Sequence, residues 1–284
     1  MATIKKVKMF IKSVYDATFR AEYNNTLNSK RKVKTDEAER IAQKEAIKTA
    51  ILHTMKKFPE VEPASIWRRI YEIHVHRKSG IDDASVIEKV ISADQSWKKS
   101  SGHAFEEMVK LLANDALEGS GIEILLQRDL NTIIKANELA NEPRDISWLK
   151  EQIKGSVFDL YATYTEDERR FCFGCIQSKT SIRDRVTRDR EPSITAMKSF
   201  FWSVVLVLDG DFLKLPKFKS MVEGGTAEYK ENGWHGMYVF SDKYRGERIY
   251  PLHVDFLKFA EHASNAASYW KKQRQWFNAE WKAE

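Results

Sequence analysis

The sequence predicts an α/β fold of the α+β type, in which helices flank a mixed central sheet and a mainly helical segment precedes that sheet. Three observations support it: helical spacing of apolar residues before residue 100, short runs of branched and aromatic residues after 120, and renewed helical spacing after 254. Of the 284 residues, 42% are hydrophobic and 31% charged, so the chain can bury a core. Its 47 lysines and arginines exceed its 41 acidic residues, which favours an anionic partner.

Residues 1–99 are predicted to form a helical N-terminal subdomain. One helix begins at Thr35, whose side chain can cap it, and ends before Pro59. A second helix is expected from 63 to 80 and a third over much of 82–99. The basic residues of this segment could follow a DNA backbone or simply be solvated. We therefore expect the subdomain to contact DNA, to mediate oligomerisation, or both.

Residues 100–284 are predicted to form the sheet-containing domain. A helix is expected at 103–117, preceded by Ser100-Ser101-Gly102, another opens at Pro192, and a last helix covers 254–281. Two of the predicted strands flank the polar turn EDER, so they form an antiparallel hairpin. The predicted strands are 121–127, 156–165, 170–178, 203–208 and 236–240.

Two further features concern metal binding and compartment. Cys172 and Cys175 form a C-x-x-C motif, but no second pair accompanies them and their spacing places them on opposite faces of a strand. We interpret them as packing residues. No apolar stretch reaches the roughly 18 residues that a membrane span needs, so we expect a cytoplasmic protein without a membrane partner.

The predicted hairpin brings together an acid and a lysine. Asp159 lies in its first strand and Lys179 follows the end of its second, so antiparallel pairing can place both at one edge of the sheet. Phosphodiester hydrolysis needs a carboxylate that holds Mg²⁺, a second acid and a cation that orients water. Asp159 could instead merely cap a turn. Pairs of an acid and a lysine at this spacing are also common as exposed strand residues.

The segment after Lys179 is rich in arginine and acidic residues. It could be a solvated, self-paired charge run. Arg183-Asp184-Arg185 also has the chemistry to recognise G·C pairs, because arginine binds guanine O6 and N7 bidentately and a carboxylate accepts from cytosine N4. Two arginines and one acid can address two adjacent G·C pairs. A dimer would then read CCGG.

The run from Lys179 to Arg185 (KTSIRDR), with Asp159 on the preceding strand and Glu191 downstream, resembles the CCGG-specific branch of type II restriction endonucleases. The resemblance implies a PD-(D/E)XK nuclease core with a mixed sheet flanked by helices. It also implies that Asp159 binds the metal, that Lys179 is the catalytic lysine, and that Arg183, Asp184 and Arg185 read the bases.

The same resemblance identifies the remaining site residues. The acid that normally lies two residues before the lysine is replaced by Gln177, a neutral amide that cannot act as a metal-bound carboxylate. The resemblance implies that Glu191 supplies the missing charge and that Glu106, on the helix facing the active site, is a further metal ligand; either could be an ordinary surface glutamate. Arg188-Asp189-Arg190 repeats the tripeptide, and Arg188 and Arg190 are interpreted as DNA-backbone contacts or intersubunit ion pairs, or as the base readers themselves.

Together these observations predict a prokaryotic type II restriction endonuclease. It would make double-strand cuts in double-stranded DNA at a CCGG-containing palindrome, with 5′ overhangs and Mg²⁺ as cofactor, as a homodimer or higher oligomer. Two alternatives stay open from the sequence. One is a repair or junction-resolving nuclease on the same core, and the other is a non-catalytic DNA-binding regulator.

Overall fold

The structure, a computed structural model, describes residues 4–29, 33–61, 63–81, 83–181 and 186–283. The chain divides into two compact units, Met1–Ser96 and Trp97–Glu284. None of the described helices is both long enough and apolar enough to cross a membrane.

The first unit is helical, as predicted. Its helices are α1 (Ile4–Leu27), α2 (Thr35–Lys57), α3 (Pro63–Ser79) and the first part of α4 (Ala84–Ala116). The predicted helices that start at 35 and 63 are confirmed. The predicted cap by Thr35 is wrong, because Thr35 is already helical and the N-cap residue of α2 is Lys34, with no side-chain hydrogen bond at the cap. The buried face of α2 consists of small residues, because an alanine or threonine lies inside at every fourth position. The larger Met55 is 40% exposed. Those small residues allow α1 to pack closely against α2.

Helix α4 corrects one prediction. Two separate helices were expected around Ser100-Ser101-Gly102, yet α4 passes through these residues without a break. A glycine within a helix costs only about 1 kcal/mol. Burial of Phe105, Val109 and Ala113 in the core of the second unit exceeds that cost, so the helix continues.

The described part of the second unit contains a six-stranded mixed sheet, which confirms the predicted fold class. Its strands lie in sequence order, with antiparallel pairing from the first to the third and parallel pairing from the third to the sixth. The strands are β1 (Ile122–Leu126), β2 (Leu160–Glu166), β3 (Arg169–Ser181), β4 (Trp202–Asp209), β5 (Gly236–Val239) and β6 (Ile249–Pro251). The hairpin is β2 and β3.

Helices cover both faces of this sheet. On one face, α4 and α9 pack against side chains such as Ile176 and Val204. On the other face, α5 and α6 lie against β2 and β3, while α7 and α8 cover β4 and β5. The bounds are α5 (Gln127–Lys135), α6 (Pro143–Lys154), α7 (Val186–Lys198), α8 (Pro216–Glu223) and α9 (Leu257–Gln273).

Some boundaries differ from those expected. Pro192 lies inside α7 instead of opening it. The last helix ends at Gln273, after which a short 3₁₀ turn redirects the chain so that Phe277 and Trp281 stack on each other in the core. Helices α5, α6 and α8 and strand β6 were not predicted.

A β-bulge changes the position of the cysteines. The register between β2 and β3 shifts at Ala162 and Thr163, so that Ala162 pairs with Gly174 and Thr163 with Cys172. Because the bulge reverses the alternation of side chains, Cys172 and Cys175 lie in the same buried cluster, and not on opposite faces. Both are free thiols whose pKa is raised by burial.

Candidate active site

The hairpin places Asp159 beside Lys179, twenty residues away in sequence. Asp159 lies immediately before β2, where its backbone N–H donates to the Ile176 carbonyl at 3.0 Å and its carbonyl accepts from the Gln127 N–H at 3.2 Å. These bonds fix the backbone at the edge of the sheet near the last residues of β3. The position of the acid is therefore set by strand pairing.

The two side chains form a direct contact. Asp159 Oδ2 accepts hydrogen bonds from Lys179 Nζ and from the backbone N–H of Ser178, both at 2.7 Å. The side chains of Asp159 and Lys179 are 18% and 19% exposed. Both recorded bonds use the same carboxylate oxygen, so Oδ1 is the oxygen that can face a cation. Partial burial strengthens the interaction relative to an ion pair at the surface.

Glu106, on α4, belongs to the same electrostatic site. Burial and the negative charge of Asp159 raise the pKa of its carboxyl, while His103 and Lys179 act in the opposite direction. The side chain is 22% exposed, and its Oε2 lies 3.4 Å from His103 Nδ1. Two carboxylates with one lysine thus share a small, partly desolvated volume.

A cleft of about 630 Å³ opens beside these acids. Its walls come from α4, from the start of α5, and from the end of α6 with the residues after it. Across it, Glu107 forms an ion pair with Arg128, and the Gln127 side chain donates to the Ile153 carbonyl at 2.7 Å. The lining residues include His103, Glu106, Gln127, Arg128, Asn131, Ser156 and Asp159.

The donor set fits a small, hard divalent cation. Among the described residues, no group of three or more histidine, cysteine or acidic side chains could hold a metal ion by itself. Mg²⁺ commonly binds through one or two carboxylates, with waters and substrate phosphate oxygens completing its shell. Asp159 and Glu106 meet that requirement, because both are carboxylates that line the same cleft; burial, and after it the negative charge of Asp159, raises the pKa of Glu106.

Gln177 faces away from this chemistry. Its side chain is buried, and its amide accepts from Trp234 Nε1 at 2.8 Å and donates to the Asp189 carbonyl at 3.0 Å. The amide therefore links β3 to α7 and to the segment before β5. It does not point an oxygen towards Asp159.

The other site residues expected from the sequence lie on or before α7. Glu191 is exposed, and among the described residues its carboxylate has no recorded ion pair; its carbonyl accepts from Thr195 Oγ1. Arg188 is exposed, whereas Arg190 donates to the carbonyls of Met221 and Glu231. Arg183, Asp184 and Arg185 fall outside the described residues.

Sequence reasoning missed three contributors to this site. Ser178 acts through its backbone N–H, which no residue type can reveal. His103 contacts Glu106 one helical turn away, and this i, i+3 spacing on a helix was a usable signal. The start of α5 was overlooked although Asp129, its first-turn acid, accepts from the Leu126 N–H and from Lys110.

The chain is similar to one protein family and to two solved structures. The family described as BsaWI restriction endonuclease type 2 matches residues 141–276. No curated protein matches the chain. The crystal structure of the pre-specific restriction endonuclease BsaWI–DNA complex is 56% identical and superposes with a TM-score of 0.78, covering 96% of this chain and 98% of that one. The specific restriction endonuclease AgeI–DNA complex is 17% identical, with a TM-score of 0.44 over 89% of this chain and 91% of that one.

The likeness to BsaWI confirms the expected enzyme class and sets aside the non-catalytic regulator. It supports DNA binding and sequence-specific cleavage, since the matching structure is a restriction endonuclease bound to DNA. Because more than half of the aligned residues are identical over nearly the full length of both chains, this protein belongs to the BsaWI family of type II restriction endonucleases.

Proposed function

We propose that this endonuclease makes double-strand cuts in a palindromic DNA site with a CCGG core, by Mg²⁺-dependent phosphodiester hydrolysis that leaves 5′ overhangs. It acts as a homodimer or higher oligomer, in the cytoplasm of a prokaryotic cell, within a restriction-modification system. The observation that carries the proposal is the contact of Lys179 Nζ with Asp159 Oδ2 at 2.7 Å, beside a second carboxylate whose pKa is raised.

In this mechanism the acids hold the metal and the lysine assists the nucleophile. Asp159 and Glu106 would hold Mg²⁺, which when bound would polarise the scissile phosphate and acidify a nearby water. Lys179, held by Asp159, orients the attacking water and stabilises the charge that develops on the phosphate oxygens. Water adds to phosphorus, the bond to the leaving oxygen breaks, and that oxygen takes up a proton.

Glu191 is the second candidate for the additional acid. The family resemblance supports it, while the electrostatic coupling between Glu106 and Asp159 supports Glu106. A metal titration that compares the variants Glu106→Gln and Glu191→Gln distinguishes the two candidate ligands. The variant that weakens metal binding more identifies the ligand.

Base recognition is assigned to Arg183, Asp184 and Arg185. Each arginine addresses one guanine and the aspartate addresses the cytosines opposite, so a twofold-symmetric dimer reads the complete CCGG core. Arg188 contacts the DNA backbone. Arg190 also contacts it, through the guanidinium N–H groups that do not donate to the carbonyls of Met221 and Glu231. Residues 1–99 form a helical subdomain that contacts DNA or mediates oligomerisation, and residues 100–284 carry the catalytic site.

A plasmid assay tests the proposal. The protein should convert a plasmid that contains CCGG sites into discrete fragments when Mg²⁺ is present, and chelation of Mg²⁺ should stop the reaction. Sequencing of the fragment ends gives the site and the overhang, and sedimentation analysis gives the oligomeric state. Cleavage without sequence preference, or confined to branched DNA, would overturn the CCGG assignment in favour of a general or junction-resolving nuclease.

A further inference from the structure

Gln177 lies in β3, two residues before Lys179, and its side chain links three separate elements. The residue is 1% exposed. Its Oε1 accepts from Trp234 Nε1 at 2.8 Å, and its Nε2 donates to the backbone carbonyl of Asp189 at 3.0 Å. These partners are 57 and 12 residues away in sequence, so the bridge is a tertiary interaction.

The partners explain what the bridge connects. Asp189 belongs to the first turn of α7, which begins at Val186, with only four residues between it and the end of β3. Trp234 is fully buried and lies just before β5. One amide therefore holds the start of α7 against the strand that carries Lys179 and links both to the segment just before β5.

We infer that Gln177 is a positioning residue that fixes the first turn of α7 in register with Lys179, and so couples reading of the DNA sequence to the active site. This inference rests on the proposed function, because that function assigns DNA reading to the arginine-rich stretch that leads into α7. Gln177 itself touches neither metal nor substrate.

The amide of Gln177 satisfies both partners. The indole N–H requires an acceptor and the Asp189 carbonyl requires a donor, and glutamine supplies one of each. A glutamate at this position would still accept from Trp234, but its oxygen would face a carbonyl oxygen in a buried site. The neutral residue is thus required by its surroundings, which accounts for the absence of an acid two residues before Lys179.

Other contacts hold α7 at residues beyond Asp189. Ser193 Oγ lies 2.7 Å from Ser203 Oγ of β4, and Arg190 Nε donates to the Met221 carbonyl at 3.0 Å. Val186 is buried among apolar side chains, but such packing is not directional. Among the residues that the structure describes, the Gln177 amide provides a directed bond from β3 to the first turn of α7.

Loss of the bridge should affect specific binding more than non-specific binding. If the first turn is released, only a fraction of molecules presents the reading segment correctly, and the apparent affinity for the cognate site falls by that fraction. Non-specific binding depends on backbone charge and does not need this register. The ratio between the two affinities is therefore the informative quantity.

Three substitutions separate the two bonds. Q177E in its ionised form keeps the acceptor for Trp234 and loses the donor to Asp189, and Q177M loses both without introducing charge. W234F removes the indole donor together with part of a buried ring, and it leaves the bond from Gln177 to Asp189 in place. Q275E is the matched control for Gln→Glu, because Gln275 is exposed. Q177M and W234F carry the test if the buried charge prevents Q177E from folding.

Competition binding in Ca²⁺ at fixed salt compares a CCGG duplex with single-base variants. The temperature is kept well below the unfolding midpoint of each protein. We expect the cognate preference to fall about tenfold or more in Q177E and Q177M and less in W234F, with unchanged non-specific affinity. The effects of Q177M and W234F should be non-additive in the double variant. Preserved preference in folded Q177M would overturn the inference, since a purely structural residue would lower only the unfolding temperature.

Failure of the proposed function would look different. If the unaltered protein shows no preference for CCGG, the function itself is wrong. If the unaltered protein discriminates and every Gln177 variant discriminates equally well, only the positioning role is wrong. Cleavage of saturated cognate DNA is measured in parallel, and we expect it to slow in Q177M but not in Q275E.

Discussion

Lys179 Nζ and the backbone N–H of Ser178 donate to the same oxygen of Asp159, each at 2.7 Å. Two donors on one oxygen restrain the carboxylate of Asp159, which lines the cleft. The acid is thus oriented by the strand that carries Lys179, so that any shift of β3 moves both groups together.

Asp159→Asn should abolish cleavage while specific DNA binding persists. The amide replaces an anionic metal ligand, and it would place an N–H₂ group or a neutral oxygen against Lys179. Loss of a metal ligand should reduce the cleavage rate by at least about a hundredfold. The measurement is single-turnover cleavage beside a gel shift.

The matched control for this change is Asp167→Asn, in the exposed turn between β2 and β3. Its backbone has a positive φ of 48°, which asparagine tolerates. This control should cut like the unaltered enzyme. Cleavage by Asp159→Asn at a comparable rate would refute the assignment of the metal-binding acid.

Much of the hairpin and of its chemistry could be predicted because the signals are local. A polar turn between two β-rich runs predicts β2 and β3, and pairing across that turn brings Asp159 to Lys179. The helices beginning at Thr35 and Pro63 likewise have their start signals in adjacent residues.

Other features depend on partners distant in sequence. Strand β6 has three residues, too few for a periodic signal, and exists because it pairs with β5. Helix α5 follows β1 without any loop residue, so no turn signal marks its start. The role of Gln177 was hidden for the same reason, because Trp234 is 57 residues away.

Glu106→Gln should have opposite effects on stability and metal binding. Burial and Asp159 raise the Glu106 pKa above its ordinary value of 4.5, so the folded state binds more protons than the unfolded state in the window just above that value. Stability conferred by the protonated carboxyl is present at low pH and is lost as the pH rises through the raised pKa. At neutral pH the glutamine variant should therefore be at least as stable as the unaltered protein.

Metal binding should respond in the other direction. The ionised carboxylate attracts the cation, so the unaltered protein should lose metal affinity as the pH falls towards the raised pKa. The variant should bind metal more weakly and with a flatter pH dependence. Calorimetric titration with Mg²⁺ in the presence of cognate DNA, combined with thermal unfolding, tests both effects. A variant that loses stability at neutral pH and binds metal normally would exclude Glu106 from the site.

Acid should destabilise the protein partly through His235. Burial lowers the pKa of this side chain from 6.5 to about 3. Its Nδ1 accepts from the Ser203 N–H at 3.0 Å and its Nε2 donates to the Asn278 carbonyl at 2.8 Å, so protonation would place two N–H groups face to face. The depressed pKa means that this stability is present above pH 6.5 and is lost as the pH falls towards 3.

The loss should amount to at most about 5 kcal/mol over that window. His235→Gln should lower stability at neutral pH by about 1 to 3 kcal/mol and should weaken the acid dependence. Urea unfolding at several pH values measures both quantities. His253→Gln serves as the control, because that histidine is exposed and faces Asp242. Equal acid dependence in His235→Gln and the unaltered protein would show that other groups govern the transition.

The last prediction concerns base recognition. Arg183→Lys and Arg185→Lys keep the charge but replace a rigid planar fork with a single ammonium, so each should lose bidentate guanine binding. One such contact discriminates by about 1 to 3 kcal/mol, and a symmetric dimer makes it twice, so specific affinity should fall by very roughly two to four powers of ten. Arg188→Lys, at a proposed backbone contact, should weaken all sequences alike. Asp184→Asn should relax the preference for the cytosines, because the amide adds a donor that faces cytosine N4. Competition binding in Ca²⁺ with CCGG duplexes and single-base variants measures these differences. If the two lysine variants lose affinity equally for every sequence, Arg183 and Arg185 contact phosphates, and the base readers lie at Arg188 and Arg190 or elsewhere.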